Sequence, residues 1–454
     1  MFNFKEKSRS ESFLVIILAL FFVSQTFGQV TTSVKHPKWS YNQSIYEVNT
    51  RQFSKEGTFK AIEKEIPSLK KLGVGIIWLM PIHPIGEKNR KGTLGSYYSV
   101  KDYVAVDPAY GTIADLKSLV KTVHDNKMHL IIDWVANHTS WDNKLTKEHP
   151  DYYKKDSSGN FMAPVADWTD VIALNYNNMD LRKYMINAMK FWIKECNIDG
   201  FRCDVADMVP TDFWVEARKE LDELKPVFML AEADKPELHE KCFDMTYSWE
   251  LFDISKKIAA GTHNLMQVRK YFEKENGMFP EDAFRMRFTE NHDENSWNGS
   301  AIEKYGKAAE IMAVFMSVIP GMPLVYNGQE ACNDKRLDFF EKDPIKWKDC
   351  NFKNIYTKVL NLKKSNKVLL NGKQGGKLVE VNTDKDSTVY SFTRESMGDK
   401  IFVIFNMSNL PVNVKLKGET LAGRYKELFT GENIVLKNST DMGLGAWGYK
   451  VFVK

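Results

Sequence analysis

Arg202 and Asp204 lie two residues apart in "GFRCDVAD", where an otherwise apolar run ends, and charged groups are rarely buried unless paired. If that run is a β-strand, period two puts Arg202 and Asp204 on one face and Phe201, Cys203 and Val205 on the other. An arginine beside a carboxylate lowers its pKa and keeps it ionised, the state a nucleophile needs. Glu232 closes a second apolar run, "VFMLA", with no cation adjacent in sequence. A less polar pocket would raise its pKa and suit it to proton donation. One ionised and one protonated carboxyl form the pair that glycoside hydrolysis uses, about 5–5.5 Å apart when configuration is retained. Other apolar runs also end in polar residues: Asp133 with Asn137 and His138, Asn291 with His292 and Asp293, and Gln329 with Glu330. A lone Asp after a strand is more often a cap or turn residue, so the weight falls on whether the fold gathers these ends.

A parallel barrel does gather them. From Ser44 to about Asn366, short apolar runs alternate with helical patterns: "SIYEVNT" from 44, "VGIIWLMP" from 74, "LIIDWVANH" from 130, "DGFRCDV" from 199, "FMLAEAD" from 228, "CFDMTYSW" from 242, "FRMRFTENHD" from 284 and "PLVYNGQE" from 323. Between the second and third runs, Leu116, Leu119, Val120 and Val123 fall at helical spacing, with Thr112 as N-cap; 181–196 and 308–318 behave alike. Strict alternation implies a parallel sheet covered by helices, and eight repeats imply a closed α/β (β/α)8 TIM barrel with its site at the carboxyl ends of the strands. An open doubly wound sheet is the rival, but no Gly-rich phosphate loop follows the first strand.

One connection, 139–178, is too long for a simple link and contains Trp141 and Trp168; it predicts an excursion forming a cleft wall. Beyond Gly372, "KLVEVN", "TVYSFTR", "KIFVIFNMS", "VNVKLK" and "GYKVFVK" alternate in period two between turns, which predicts a separate C-terminal all-β sandwich whose default role is packing on the barrel. The chain divides into a signal peptide (1–28), the barrel (29–371, including the excursion) and the C-terminal β-sandwich (372–454).

The 454 residues are 43% hydrophobic and 27% charged, ordinary for a globular protein, and the net charge of +4 is spread without a basic block, which sets nucleic acid aside as partner. Lys5, Lys7 and Arg9 precede an apolar stretch from Phe13 to Val23, the pattern of a secretory signal peptide. That stretch is shorter than the about 20 residues a spanning helix needs, so no transmembrane anchor is expected. The mature chain is expected to begin near Gln29, secreted or periplasmic. Five widely spaced cysteines read as buried small hydrophobic residues with at least one free thiol, neither a disulfide framework nor a zinc site.

The motifs "DWVANH", "GFRCDVAD", "LAEA" and "FTENHD", in this order, resemble those of the α-amylase family of retaining glycoside hydrolases over nearly the whole mature chain. The resemblance implies Asp204 as nucleophile, Glu232 as general acid/base and Asp293 as a third carboxylate gripping sugar hydroxyls. It places Arg202, His292 and His138 around the cleaved sugar, with Asp133 holding Arg202, and "GSYYSVKDY" resembles the stretch that makes Tyr98 the stacking platform. His83 has no such support and reads as structural. The chain departs from the family pattern at Asp207 and Met208, where many calcium-binding members carry Lys-His, and at Ala173, where an acidic residue is common. Asn137 matches a family calcium ligand, so the resemblance allows a structural Ca2+, while the chemistry requires no cofactor.

The implied substrate is an α-glucan, starch or a maltooligosaccharide, whose α-1,4 bonds are cleaved with retention through a covalent glycosyl-enzyme. A modest excursion and an early first strand favour internal cleavage. The alternatives are an exo-acting α-glucosidase or a cyclomaltodextrinase/neopullulanase-type enzyme of the same family. A non-catalytic glucan-binding or transporter-associated protein is a more distant reading, since all three carboxylates are present.

Overall fold

Each of the eight apolar runs forms a strand in the computed structural model, which describes residues 34–454. The expected signal peptide lies outside the described residues. The first three barrel strands are β1 (Ile45–Val48), β2 (Ile76–Leu79) and β3 (His129–Trp134). Two excursion strands follow, β4 (His138–Ser140) and β5 (Val171–Ala173), and then the other barrel strands: β6 (Gly200–Cys203), β7 (Phe228–Ala231), β8 (Met245–Tyr247), β9 (Phe284–Arg287) and β10 (Met322–Tyr326). The barrel closes in the order β1-β10-β9-β8-β7-β6-β3-β2, every pair parallel. Both faces of these strands are buried, by side chains inside and helices outside, so they read as continuous apolar runs with little alternation.

Two of the long helices begin at caps that the sequence supplies. Thr112 and Asp115 form a reciprocal capping box at the start of Ile113–Asp125, and the Asn178 side chain accepts from two backbone amides at the start of Met179–Cys196. The excursion is anchored by the antiparallel pair β4–β5, in which His138 faces Ala173. No helix among the described residues is long and apolar enough to cross a membrane.

The cysteine expectation is corrected in part. Cys332 and Cys350 are disulfide-bonded, while Cys196, Cys203 and Cys242 are free and buried. The segment after β10 leaves the barrel and returns, bringing two Cα atoms separated by 18 positions in sequence to 6.2 Å.

The C-terminal domain has nine strands where period two predicted five: β11 (Lys377–Glu380), β12 (Asn382–Thr383), β13 (Val389–Ser396), β14 (Asp399–Asn406), β15 (Val412–Lys417), β16 (Gly423–Glu427), β17 (Asn433–Leu436), β18 (Ser439–Leu444) and β19 (Tyr449–Val453). A six-stranded sheet and a three-stranded sheet (β12-β15-β18) pack through Phe402, Ile404, Val414, Leu416, Met442 and Phe452. The six-stranded sheet's other face joins the barrel's core through Tyr390, Phe392, Val403 and Phe405, with Phe315 of the helix Ala309–Val318 against Tyr390 and Phe405. Central β14 is therefore buried on both faces, which explains its unbroken apolar run.

Candidate active site

The barrel's register builds the site. Asp133 on β3 is the lateral neighbour of Arg202 on β6, and Cys203 is the neighbour of Ala231 on β7. The ladder continues one residue further, with the Asp204 amide on Trp134 O and the Glu232 amide on Cys203 O, both at 3.0 Å. Asp204 and Glu232 thus flank each other at the carboxyl ends of adjacent strands, which run about 4.8 Å apart.

Arg202, fully buried, connects the acids. Its Nη1 donates to Asp133 Oδ1 at 3.0 Å and to Asp204 Oδ1 at 3.1 Å, and its Nη2 lies 2.9 Å from Glu232 Oε1. The Nη2 contact is an ion pair outside hydrogen-bond alignment. Nε donates to Tyr247 Oη at 3.3 Å, and the rings of Trp78, Tyr98 and Tyr247 surround the guanidinium. Asp133 is further fixed by Trp78 Nε1 at 3.2 Å.

Asp204 has the Arg202 partner expected of it and other neighbours besides. One guanidinium serves Asp133, Asp204 and Glu232 together. Burial and the Glu232 carboxylate raise Asp204 well above the ordinary carboxylate range, against the pull of Arg202.

A second chain runs from Glu47, inside β1, through His292 and Tyr98 to Asp133. The His292 ring is bonded to Glu47 through Nδ1 and lies 2.7 Å from Tyr98 Oη through Nε2, while Tyr98 Oη donates to Asp133 Oδ2 at 3.1 Å. Asp293 Oδ2 is 3.3 Å from His292 Nε2, with its side chain 39% exposed to the cleft. Burial by itself would lower His292, but the charges of Asp293 and Glu47 overcome it and push the imidazole up to about 9. His292 is a buried cation at neutral pH. Because its pKa is raised from 6.5, its stabilisation is complete below pH 6.5 and is lost as pH rises through 9; the difference corresponds to about 3 kcal/mol. Urea unfolding at pH 6 and pH 10 should show wild type losing that amount relative to His292→Gln, and parallel profiles would refute the assignment.

Tyr98 lies stacked on His292 at 5.4 Å, at the floor of the rim. His138 is held near pKa 4 by burial, so it is neutral, and its ring meets the edge of Trp168 at 5.5 Å. Tyr98, His138, Arg202, Asp204, Glu232, His292 and Asp293 are thus brought to one end of the barrel, and Trp168 supplies the expected excursion wall. His83 is buried among Tyr103, Trp134 and Trp192, as its structural reading requires.

Three strand-end residues do other work. Asn291 Oδ1 caps the Glu294 amide, Gln329 bonds the Tyr326 amide and Thr289, and Glu330 accepts from Tyr46 Oη. Tyr46 points to the opposite face of β1 from Glu47, which places Glu330 outside the rim.

Glu47, Trp78 and Tyr247 were not anticipated. Glu47 had a usable signal, a lone acid within the apolar run "SIYEVNT". Val205 carried none. It has φ +35°, a conformation costing a β-branched residue about 1–3 kcal/mol, and its amide donates to Glu232 Oε2 at 2.8 Å. Where the family's Lys-His is missing, Asp207 pairs with Lys235, on the loop after Glu232, at 3.3 Å.

Among the described residues no three His, Cys, Asp or Glu side chains group as metal ligands, and Asn137 Nδ2 lies 3.3 Å from His138 Nδ1.

A closed parallel barrel with three carboxylates and one shared arginine on its carboxyl rim defines a barrel glycoside hydrolase. Residues 38–169 and 165–368 match the family described as alpha amylase, catalytic domain, and residues 380–446 match that described as alpha amylase, C-terminal all-beta domain. The chain belongs to the α-amylase family. Alpha-amylase 2 of Dictyoglomus thermophilum is 27% identical over 451 residues, covering 90% of this chain and 75% of that protein. Among solved structures, a maltogenic alpha-amylase from Thermotoga neapolitana superposes with TM-score 0.83 at 31% identity, covering 91% of this chain and 98% of that one. An alpha-amylase from Lactobacillus plantarum superposes with TM-score 0.81 at 30% identity, covering 91% and 99%.

Proposed function

We propose that the protein hydrolyses α-1,4-glucosidic bonds of starch or maltooligosaccharides with net retention of configuration, through a covalent glycosyl-enzyme. The observation that carries this reading is the contact of one guanidinium with both Asp204 and Glu232 on adjacent strand ends. Carboxyl groups rooted one strand spacing apart, about 4.8 Å between backbones, favour direct attack by a carboxylate over the wider gap, about 6.5–9.5 Å, that admits a water between acid and base.

The mechanism needs the proton on Glu232 as substrate enters, with Arg202 paired to Asp204. Glu232 gives its proton to the glycosidic oxygen as Asp204 attacks the anomeric carbon and the C–O bond breaks. Water then attacks the same carbon from the face the leaving group left, Glu232 takes its proton, and Asp204 departs as carboxylate. Two inversions leave the α configuration. Glu47, Asp133, Asp204, Glu232 and Asp293 outnumber the cations Arg202 and His292, and this excess of negative charge favours the oxocarbenium-like transition state.

Retention is tested by proton NMR of freshly released sugar: the α anomer should appear first, and initial β anomer would refute the mechanism.

Internal cleavage remains the preferred mode, with maltose a candidate product in view of the maltogenic relative. An aromatic wall supports binding beyond the cleaved sugar. Phe339 lies parallel to Tyr98, and Trp297, 51% exposed, packs on Phe339 at 5.2 Å. Trp297→Ala is expected to raise KM for amylose about tenfold, the scale of one lost stacking platform, and to leave maltotriose cleavage nearly unchanged. Equal losses on both substrates would remove Trp297 from the binding cleft.

Export is part of the proposal. The charged-then-apolar N-terminal pattern supports it, as does the Cys332–Cys350 disulfide, which persists in oxidising compartments.

A further inference from the structure

At the end of the barrel opposite the catalytic rim, where it meets the C-terminal domain, three cations are buried together: Arg287 on β9, Arg394 on β13 and Lys363 in the helix Asn351–Ser365. Arg287 is paired with Glu275, whose oxygens also serve Arg285. The other two have no carboxylate within ion-pair distance among the described residues. Arg394, 2% exposed, donates Nε to Gly376 O at 2.7 Å and Nη1 to Val318 O at 2.8 Å. Lys363, 1% exposed, donates to Gly321 O at 3.0 Å and Asn371 Oδ1 at 2.7 Å. The charges they feel repel: burial and Arg287 lower Arg394 to about 9, and burial and Arg394 lower Lys363 well below its ordinary value. Buried cations without counter-charge are costly, and carbonyl oxygens offset only part of that cost.

A cavity of about 430 Å³ opens beside them, lined by Arg285, Arg287 and Arg394, with Lys373 and Lys377 at its edge. Its acids are engaged. Glu275 holds the two arginines of β9, and Glu281 pairs with Lys377 at 3.3 Å. The third nitrogen of Arg394, Nη2, donates to no described residue. Bare glycine backbone leaves the guanidinium edges clear: a Cβ on Gly375 would lie 3.0 Å from Arg394 Nη2, and one on Gly321 would lie 2.7 Å from Arg287 Nε.

We propose that this cavity binds a small inorganic oxyanion, phosphate or sulfate, on the free edge of Arg394, supplying the missing counter-charge and bracing the barrel against the C-terminal domain. An oxyanion can accept from the free Nη2 with one oxygen and turn its others toward the Lys373 and Lys377 edge of the cavity, which a spherical chloride cannot do. The site is remote from Asp204 and Glu232, so its effect is on stability.

Thermal unfolding of the mature chain, titrated with sodium phosphate, sulfate or chloride at matched ionic strength, tests the site. Phosphate and sulfate should each give a saturable rise in Tm that chloride does not, as expected for a ligand bound only by the folded state. Equilibrium dialysis with labelled phosphate should show one ion per chain. Arg394→Gln should abolish the saturable part. Should that variant not fold, the exposed-edge double variant Lys373→Gln with Lys377→Gln should weaken phosphate binding severalfold with starch hydrolysis unchanged. Equal responses to all three salts, no dialysable phosphate, or an undiminished phosphate response in the folded variants would each overturn the proposal.

Discussion

Asp204→Asn is expected to reduce kcat on soluble starch by roughly 10⁴-fold or more, the scale on which removing a nucleophile acts. The asparagine keeps the size of the side chain and its contact with Arg202 but cannot form the ester. Glu232→Gln should cost less, roughly 10²- to 10⁴-fold, because it removes proton transfer alone. The two are distinguished by leaving group. A dinitrophenyl α-glucoside or maltoside departs without protonation, so formation of the glycosyl-enzyme should be largely restored for Glu232→Gln and not for Asp204→Asn, read as a burst of released phenol. If Asp204→Asn retained starch hydrolysis within tenfold of wild type, the assignment of the nucleophile would fail.

Arg202→Met is expected to be the most destabilising change at the rim. It leaves Asp133, Asp204 and Glu232 in buried or half-buried positions without their shared cation, and breaking such a cluster from one side costs about 3–5 kcal/mol. The cost is electrostatic, so it should shrink at low pH. Burial already holds Asp133 up to about 6 and raises Asp204 above the ordinary carboxylate range, and without Arg202 both rise further. Raised carboxyl groups lose stability in their charged form above the folded pKa and recover it as pH falls and they take protons. Guanidinium unfolding should therefore show a large deficit at pH 7 and a much smaller one at pH 4. Arg202→Lys, which keeps the charge and loses the fork, should regain part of the stability and little of the activity. A deficit independent of pH would mean that Arg202 matters as packing among Trp78, Tyr98 and Tyr247.

Much of this was legible in the linear chain. Each barrel strand appeared as an apolar run because its two faces are both covered, and Thr112 marked a helix start because its hydroxyl satisfies an otherwise unpaired amide. The strands β16, β17 and β18 were not legible. They are short, with exposed residues interspersed, and their pairing depends on a partner sheet distant in sequence. Cys332 and Cys350 were misread for a related reason, since the path of the loop between them follows from how it leaves β10.

The sequence by itself narrowed the candidate acids to those that close apolar strands, Asp133, Asp204, Glu232, Asp293 and Glu330, and its resemblance to the α-amylase family singled out Asp204, Glu232 and Asp293. Only the tertiary structure decided what surrounds them. Asp204 is governed by depth and by Glu232 across one strand spacing, Arg202 is divided among three acids, and His292 is raised by Asp293 and by Glu47, two strands away around the barrel. Residue type sets what a group can do, but electrostatic energy depends on separation and burial, and those exist only once the barrel has closed.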